Sequence, residues 1–156
     1  MGSAYSDVVR GTPGNDFLQG DDFFRDGGSD SFYGDKGNDV IEDGYGDDRL
    51  FGGSGDDILD GGQGGDKLDG GLDSDILTGG KNADEFIFRE NFGHDEITDF
   101  TDGVDLIRMD IASVSFSDLT ITDDGNDTQV SLAGHGTITL RDVSSYRLTE
   151  DDFIFV

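Results

Sequence analysis

The chain has 156 residues, of which 36 are acidic and 10 are basic, so its formal net charge is −26. Such a charge repels nucleic acid and anionic membrane surfaces and makes cations the natural partners. Because there is no cysteine and no apolar run long enough to span a bilayer, disulfides, thiolate metal sites and membrane spans are excluded, and oxygen atoms are the available metal ligands.

Residues 1–10 are predicted to be a linker or a cloning remnant. Met1-Gly2-Ser3 has the appearance of such a remnant, and the alternative interpretation is that residues Met1-Gly2-Ser3-Ala4-Tyr5-Ser6 form an N-myristoylation pattern. The periodic part of the sequence is predicted to begin after this segment, at Gly11.

From Gly11 to Ile87 the sequence repeats every nine residues, with one predicted insertion at 20–24. The eight units read GTPGNDFLQ, RDGGSDSFY, GDKGNDVIE, DGYGDDRLF, GGSGDDILD, GGQGGDKLD, GGLDSDILT and GGKNADEFI. The sixth position is always aspartate, namely Asp16, Asp30, Asp39, Asp48, Asp57, Asp66, Asp75 and Asp84. The eighth is always large and apolar, namely Leu18, Phe32, Ile41, Leu50, Leu59, Leu68, Leu77 and Phe86. The fourth is glycine except at Asp73 and Asn82, two residue types that also tolerate a left-handed backbone, which predicts a turn.

Each unit therefore predicts a glycine-rich turn followed by a three-residue strand, and strands this short must stack to bury their apolar column. The seventh position is apolar in odd units and polar in even units, which predicts two units per coil, with odd strands in one parallel sheet and even strands in another. The apolar outer face of the odd sheet predicts that the rest of the chain covers it; the alternative is that these residues reflect strand propensity alone.

The predicted turns have the composition of a cation site rich in oxygen. Calcium binds about six to eight oxygens with flexible geometry, which carbonyls from glycine-rich turns and nearby carboxylates can supply. Because two units form one coil, each loop lies over the loop two units further on, and the gaps are predicted to hold about four to six calcium ions. The alternative is that aspartate and glycine are simply turn formers, but turn chemistry would also accept Asn, Ser or Gly at the sixth position.

The pattern Gly-Gly-x-Gly-x-Asp-x-apolar-x resembles the RTX calcium-binding nonapeptide over residues 11–87. The resemblance implies an all-β fold, a right-handed parallel β-roll with calcium along both edges, as in the C-terminal regions of serralysin-type proteases, mannuronan epimerases, haemolysins and RTX adhesins. It implies that the eight sixth-position aspartates are metal ligands. Other predicted ligands are the carbonyls of Gly52, Gly55, Gly61, Gly64 and Gly70 and the fifth-position residues Asn38, Asp47 and Asp56. Departures from the pattern at Arg25, Asp43, Asp73 and Asn82 are expected to weaken individual sites.

Beyond residue 87 the nine-residue period ends, and residues 88–156 are predicted to form a β-rich cap. Strands are predicted at 95–100, 105–109, 119–122, 128–132, 136–143 and 152–156, with a hairpin turn at 123–126. The segment 93–105 resembles the Gly-x-Asp-x-Ile-x-Asp-Phe stretch that follows the roll in this family. Residues 150–156, acidic and then apolar, resemble the C-terminal signal for type I secretion through an ABC transporter, with a last edge strand as the alternative.

These features predict a secreted, extracellular calcium-binding module that folds after export by an ABC-type secretion machinery. Residues 11–87 contain 20 acidic and 5 basic residues, so without calcium this segment carries a charge of −15 and stays expanded. The alternative function is binding of an anionic, alginate-like polysaccharide through Arg89, Arg108, Arg141 and Arg147. Catalysis is not expected, because His94 and His135 stand in polar, turn-like contexts and no nucleophile or zinc-protease motif occurs.

Overall fold

The computed structural model describes residues 6–20 and 27–156. Residues 1–5, which include the predicted cloning remnant and all but the last residue of the myristoylation pattern, lie outside the described residues. Residues 21–24 of the predicted insertion lie outside them as well, and so does Arg25, one of the departures from the repeat pattern.

The described residues form fifteen β-strands and three short 3-10 helices. The strands are β1 (Val8–Arg10), β2 (Phe17–Gln19), β3 (Ser31–Lys36), β4 (Val40–Glu42), β5 (Arg49–Ser54), β6 (Ile58–Asp60), β7 (Lys67–Leu72), β8 (Ile76–Thr78), β9 (Glu85–Phe88), β10 (Gly93–Ile97), β11 (Leu106–Met109), β12 (Leu119–Asp124), β13 (Asp127–Leu132), β14 (Gly136–Leu140) and β15 (Phe153–Phe155). The 3-10 helices span Phe116–Asp118, Ser145–Arg147 and Glu150–Asp152. The predicted all-β class is confirmed.

Successive strands of the repeats alternate between two sheets. One sheet has the order β1-β3-β5-β7-β9-β11-β15, and the other has the order β12-β13-β14-β10-β8-β6-β4-β2. All pairs of repeat strands are parallel, and each strand pairs with the strand two repeats away. Strands of odd units lie in the eight-stranded sheet and strands of even units in the seven-stranded sheet, so the predicted parallel roll with two repeats per coil is confirmed.

The eighth-position side chains fill the space between the two sheets. In one sheet Ile41 lies beside Leu59, and in the other Leu50 lies beside Leu68, each with no exposed surface. Position eight alone supplies this core because alternate residues of a strand point to opposite faces. One buried apolar side chain per nine residues is a thin core, so a single repeat has little to hold it in place without its neighbours.

The roll is longer than residues 11–87 at both ends. Strand β1 pairs in parallel with β3 and places Val9 beside Phe32, so Val8–Arg10 belong to the roll and are not a linker. After the last predicted repeat, β10 pairs in parallel with β8 and β11 with β9, which continues both sheets by one further strand each. The boundary at residue 87 therefore marks the end of the sequence period and not the end of the parallel stack.

Gly20 also belongs to the regular part of the roll and not to the insertion. Its backbone N–H donates to the carbonyl of Glu42, as the N–H of Asp43 donates to Asp60 and the N–H of Gly61 donates to Thr78. Gly20 therefore occupies the first position of the second repeat, which corrects the predicted start of the insertion at residue 20.

The C-terminal strands extend the two sheets and do not cover the odd face. Antiparallel β12, β13 and β14 continue the eight-stranded sheet beyond β10, and β15 pairs in parallel with β11 at the end of the other sheet. The predicted hairpin between β12 and β13 and the predicted last edge strand are confirmed. The predicted cover is wrong, because the outward side chains of Phe17, Ile58 and Ile76 remain 59%, 43% and 40% exposed. Within the part of the chain that the structure describes, no helix has the length and apolar character needed to cross a membrane.

Candidate metal centre

Aspartates at the sixth position form two hydrogen-bonded ladders, one along each edge of the roll. In each ladder, Oδ1 of one aspartate accepts a hydrogen bond from the backbone N–H of the aspartate one coil earlier. The N–O distance is 2.7 Å from Asp39 to Asp57 and 2.9 Å from Asp48 to Asp66. The first edge contains Asp16, Asp39, Asp57, Asp75 and Asp95, and the second edge contains Asp7, Asp30, Asp48, Asp66, Asp84 and Asp105. The ladders fix the orientation of each carboxyl group.

Six of these aspartates also have a buried carboxylate oxygen with no hydrogen-bond partner. The atoms are Oδ2 of Asp39, Asp57 and Asp75 on the first edge and Oδ2 of Asp48, Asp66 and Asp84 on the second. Each of the six residues is at most 2% exposed. A buried carboxylate without a partner is costly, since nothing replaces the water that it has lost. A bound cation would supply the missing partner, so both edges fit a divalent metal.

Glycine at the first position of a repeat leaves the space into which these oxygens point. A Cβ atom on Gly52 would lie 2.6 Å from the carbonyl oxygen of Gly70 and would also collide with Oδ2 of Asp57. A Cβ atom on Gly61 would lie 2.5 Å from Oδ2 of Asp66. Glycine is therefore needed here for close approach. On the first edge it brings a carboxylate and a carbonyl oxygen together, and calcium binds both kinds of oxygen.

In the third to eighth repeats the fourth position is a left-handed turn, as predicted, whereas Gly14 of the first repeat lacks a positive φ angle. The φ angles are +118° at Gly55 and +139° at Gly64, and the two exceptions, Asp73 and Asn82, have φ angles of 81° and 86°. A Cβ atom on Gly55 would lie 2.8 Å from Oδ1 of Asn38. In the third to sixth repeats the fourth-position glycines thus combine a positive φ with close contact to the adjacent loop.

The fifth-position side chains connect loops on the same edge. Oδ1 of Asn38 accepts from the backbone N–H of Asp56 at 3.2 Å, Oδ1 of Asp47 from Gly65 at 2.9 Å, and Oδ1 of Asp56 from Ser74 at 3.1 Å. These predicted ligands therefore already hold one hydrogen bond each. Asp47 and Asp56 keep a second carboxylate oxygen for a cation, whereas Asn38 has only one side-chain oxygen.

Burial makes the ladder carboxylates difficult to ionise. It raises the pKa of Asp57 and Asp84 to about 6, that of Asp66 and Asp75 to about 7, and that of Asp95 to about 8. Neighbouring carboxylates add to the increase, and the ladder hydrogen bonds reduce it. Either protons or metal cations must therefore compensate these groups in the folded roll.

The sequence family agrees with this geometry. A family model described as the RTX calcium-binding nonapeptide repeat (4 copies) matches residues 1–22, 24–59 and 51–86, which is more than half of the chain. The chain belongs to the RTX calcium-binding repeat family. Calcium is the cation that repeats of this family bind, so the two carboxylate ladders are the candidate metal centre of an RTX roll. A comparison with curated protein sequences found no significant match.

A solved structure shares the fold of this RTX chain, and a second match covers the whole of it. The AlgE6R2 subunit of the Azotobacter vinelandii mannuronan C5-epimerase has a TM-score of 0.53 and 21% identity, over 99% of this chain and 94% of that one. The extracellular lipase LipA of Serratia marcescens has a TM-score of 0.49 and 18% identity, over 100% of this chain. The chain spans 39% of the lipase's length.

Three ladder aspartates lie outside the eight predicted repeats. Asp7 stands nine residues before Asp16, which is the RTX spacing, and its backbone N–H donates the first hydrogen bond of the second-edge ladder to Oδ1 of Asp30. Asp95 and Asp105 continue the two ladders at the C-terminal end. The signal that could have found all three is the combination of aspartate with an apolar residue two positions later.

One departure from the RTX pattern brings an acidic side chain into the roll. Asp43 replaces the first-position glycine of the fourth repeat, and its carboxylate lies in a buried cluster with Asp30 and Asp48. Burial raises the pKa of Asp43 to about 8, and contact with Asp48 adds to the increase. The substitution therefore adds a carboxylate to the second edge instead of removing a ligand.

All four arginines predicted to contact polysaccharide have carboxylate partners. Arg89 pairs with Asp69, and Arg108 pairs with Glu85 at 3.1 Å. The others are Arg141, which lies 2.8 Å from both Glu96 and Asp127, and Arg147, which lies 3.9 Å from Asp102. Their charges are compensated within the chain.

The two histidines line the same shallow cavity at the turn between β13 and β14. His94 is exposed, whereas His135 is partly buried and its Nδ1 has no hydrogen-bond partner. Neither histidine belongs to the carboxylate ladders.

Proposed function

We propose that this chain is a calcium-folded module of a secreted, extracellular protein, and that it holds about four to six calcium ions along its two edges. The observation that carries the proposal is the set of six buried carboxylate oxygens without a partner, three on each edge. Membership of the RTX family supports calcium as their cation. The module has no catalytic activity of its own in this proposal.

Each site is proposed to combine oxygens from two loops of adjacent coils. The sixth-position aspartate contributes Oδ2, and its Oδ1 remains on the ladder hydrogen bond, which holds the carboxyl group in place. Carbonyl oxygens of the first- and fourth-position residues and the fifth-position carboxylates complete the donor set. Calcium, when bound, supplies the positive charge that these oxygens lack.

This arrangement couples folding to the calcium concentration. Without a cation, residues 11–87 carry a charge of −15, and the fold requires their sixth-position carboxylates to lose water. Extracellular calcium modules bind with dissociation constants of about 10⁻⁴ to 10⁻³ M, so such sites stay empty inside a cell and fill outside it. Binding free energy then becomes folding free energy after export.

The position of β15 fits recognition of a C-terminal signal before folding. In the folded chain Phe153 is 7% exposed and belongs to the core, and β15 is hydrogen-bonded to β11. A transporter can therefore read this segment only while the chain is unfolded. We propose that an ABC-type secretion machinery exports the unfolded chain and that calcium closes the roll afterwards.

Binding of an anionic polysaccharide has less support. The four candidate arginines are already paired with carboxylates, and the net charge of −26 opposes an anionic ligand. Calcium-dependent retention on immobilised alginate would nevertheless favour this alternative over a role limited to secretion and folding.

The direct test is a calcium titration of chelator-treated protein followed by circular dichroism, with magnesium as the control cation. We expect a cooperative gain of β signal near millimolar calcium and none with magnesium, because magnesium requires octahedral geometry and loses its water reluctantly. A β-rich spectrum that chelator leaves unchanged would contradict the proposal.

A pair of variants connects this response to the ladders. Asp57→Asn keeps an acceptor for the N–H of Asp39 but removes the charge on the unpaired oxygen, and it should move the calcium midpoint to a higher concentration. Asp124→Asn makes the same charge change at an exposed site in the β12–β13 hairpin and should leave the midpoint where it is. Equal midpoints for both variants would remove Asp57 from the ligand set.

A further inference from the structure

The fourth repeat carries a carboxylate where most RTX repeats of this chain carry no side chain. Its first residue is Asp43, whereas the first residue of the repeats on either side is Gly34 or Gly52. In the other repeats a first-position Cβ atom would collide with the sixth-position carboxylate. At Asp43 the chain instead places a second carboxylate in that space.

Three acidic side chains converge there. One carboxylate oxygen from each of Asp30, Asp43 and Asp48 lies within 4.8 Å of the other two. The three residues are 5%, 7% and 1% exposed, so the cluster is cut off from water. None of the ion pairs formed by residues 6–20 and 27–156 involves these three side chains.

The hydrogen bonds leave free oxygens inside the cluster. Oδ1 of Asp48 accepts from the backbone N–H of Asp30 at 2.7 Å, and Oδ1 of Asp43 accepts from Gly44 at 2.9 Å. Oδ2 of Asp43 and Oδ2 of Asp48 are buried and have no partner. Two unpartnered carboxylate oxygens in one buried cluster fit the binding of a cation.

A compensating glycine makes room for the extra carboxylate. A Cβ atom on Gly20 would lie 2.9 Å from Cγ of Asp43, 3.2 Å from Cζ of Phe32 and still closer to Oδ1 of Asp43. Any larger residue at position 20 would therefore displace Asp43. Gly20 and Asp43 lie on adjacent coils, and their close approach holds the added carboxylate at the second edge.

We propose that Asp30, Asp43 and Asp48 form a three-carboxylate calcium site that fills before the other sites of the roll and binds more tightly than they do. The inference rests on the proposed function, since it ranks one site within a calcium-binding array. Protein calcium sites gain affinity with the number of charged ligands, and this site has one carboxylate more than a site with glycine at the first position. We expect its dissociation constant to be at least about tenfold lower than that of the remaining sites.

Early filling of this site sets the order in which the roll forms. It joins Asp30, directly before β3, to the loop before β5, so calcium bound there holds two adjacent coils together. Each further loop can then add to a coil that is already in place, as in other solenoids.

Isothermal titration calorimetry with calcium tests this ranking on the full chain. The wild type should show one tight equivalent per chain followed by several weaker ones. Asp43→Gly, which restores the residue found at this position in neighbouring repeats, should lose the tight equivalent and keep the weaker ones. Asp43→Asn, which preserves size, should give the same result, and Asp35→Asn, an equal charge change at an exposed residue of the roll, should retain the tight equivalent.

The outcomes separate this inference from the proposed function. A wild type that neither binds calcium nor gains β structure would overturn both. A wild type that folds with calcium but shows a single class of weak sites would overturn the ranking alone, without reference to any variant. Retention of the tight equivalent in Asp43→Gly and Asp43→Asn would also overturn it.

Discussion

The parallel roll and the antiparallel strands β12–β14 compensate their carboxylates in opposite ways. In the roll, burial raises the pKa of ladder residues such as Asp66. In and beside the antiparallel strands, hydrogen bonds lower the pKa of exposed carboxylates: Asp118 accepts from the side chain and backbone of Ser115, Asp123 from the backbone of Ser145, and Asp127 from the backbone of Asp142. The carboxylates of the antiparallel region therefore have hydrogen-bond donors within the chain, whereas those of the roll need a cation.

The two regions also differ in how many apolar side chains they bury. Strand β13 alternates strictly between partly buried and buried residues, and Val130, Leu132, Ile138 and Leu140 of β13 and β14 form one apolar face. A roll repeat buries one large apolar side chain in nine residues. Three or more strands with an apolar face can be stable by themselves, whereas single repeats cannot. Dependence on metal should therefore be concentrated in the roll.

Removal of calcium should produce the largest difference between the two regions. In chelator, the backbone amides of β3–β8 should lose protection from hydrogen exchange, because their loops repel one another and the ladder carboxylates lose their cation. Amides of β13 and β14 should lose less protection. Hydrogen-exchange mass spectrometry with and without calcium measures both regions in one experiment.

Magnesium at the same concentration is the control, and it should leave the exchange pattern of the chelated protein unchanged. Uniform loss of protection across both regions would show that the chain folds as one cooperative unit. Uniform retention would show that the roll does not depend on calcium.

Acid should partly replace calcium in the roll. An unfolded aspartate has a pKa near 3.8, whereas burial raises the pKa of folded Asp57 to about 6 and that of Asp66 to about 7. Between these values the folded state therefore binds more protons than the unfolded state. This contribution to stability is complete below 3.8 and is lost as the pH rises through 6 to 7. Calcium-free protein should therefore gain β signal when the pH falls from 8 to 5, as measured by circular dichroism.

The antiparallel region should not share this response. The pKa of Asp123 is lowered, so its contribution to stability is present above about 3.8 and is lost only at more acidic pH. The effect of acid on the roll should be smaller than that of calcium, because protons neutralise the carboxylates but do not coordinate the carbonyl oxygens. Calcium-free protein that gains β structure as the pH rises would contradict the pKa assignments.

A methyl group added at a first-position glycine should destabilise the roll more than a methyl group added at another glycine. Gly61→Ala places Cβ 2.5 Å from Oδ2 of Asp66 and should lower the stability of the calcium-bound protein by about 1–3 kcal/mol. Gly14→Ala, in the first repeat, has no atom within 4 Å and should change it by less than about 0.5 kcal/mol. Thermal unfolding at saturating calcium compares the two variants, and equal losses would show that the space at Gly61 is not needed.

The sequence predicts the roll well because the physical constraints recur every nine residues. Sixth-position aspartates and eighth-position apolar residues appear in the structure where the period places them, and the fourth-position turn appears in the third to eighth repeats. Asp95 and Asp105 were missed because the longer loops before them change the spacing to 20 and 21 residues from their ladder partners. Asp7 was missed because its repeat lacks the fourth-position glycine, with Tyr5 in that place.

The role of Asp43 could not be read from its own repeat. A missing consensus glycine indicates a weaker site when the repeat is considered alone. Its carboxylate joins Asp30 and Asp48 only because loops two repeats apart stack, and because Gly20 leaves the space between them. Sequence periodicity predicts the stacking but not which side chains fill the gaps.

The outer face of the odd sheet shows a second limit of prediction from sequence. A substitution on this face has the smallest predicted effect on stability. Apolar residues at the seventh position predicted a covering layer, yet residues 88–156 extend the sheets, and Ile58 remains 43% exposed. Ile58→Thr keeps a β-branched side chain and should change the free energy of unfolding by less than about 0.5 kcal/mol. The same substitution at fully buried Ile41, in the adjacent strand β4, should cost about 2 kcal/mol or more, because it removes apolar volume and buries a hydroxyl group. Thermal unfolding at saturating calcium measures both variants. A loss of stability at Ile58 as large as that at Ile41 would mean that this face is covered in solution. A rise in stability with protein concentration would then identify the cover as a second copy of the chain.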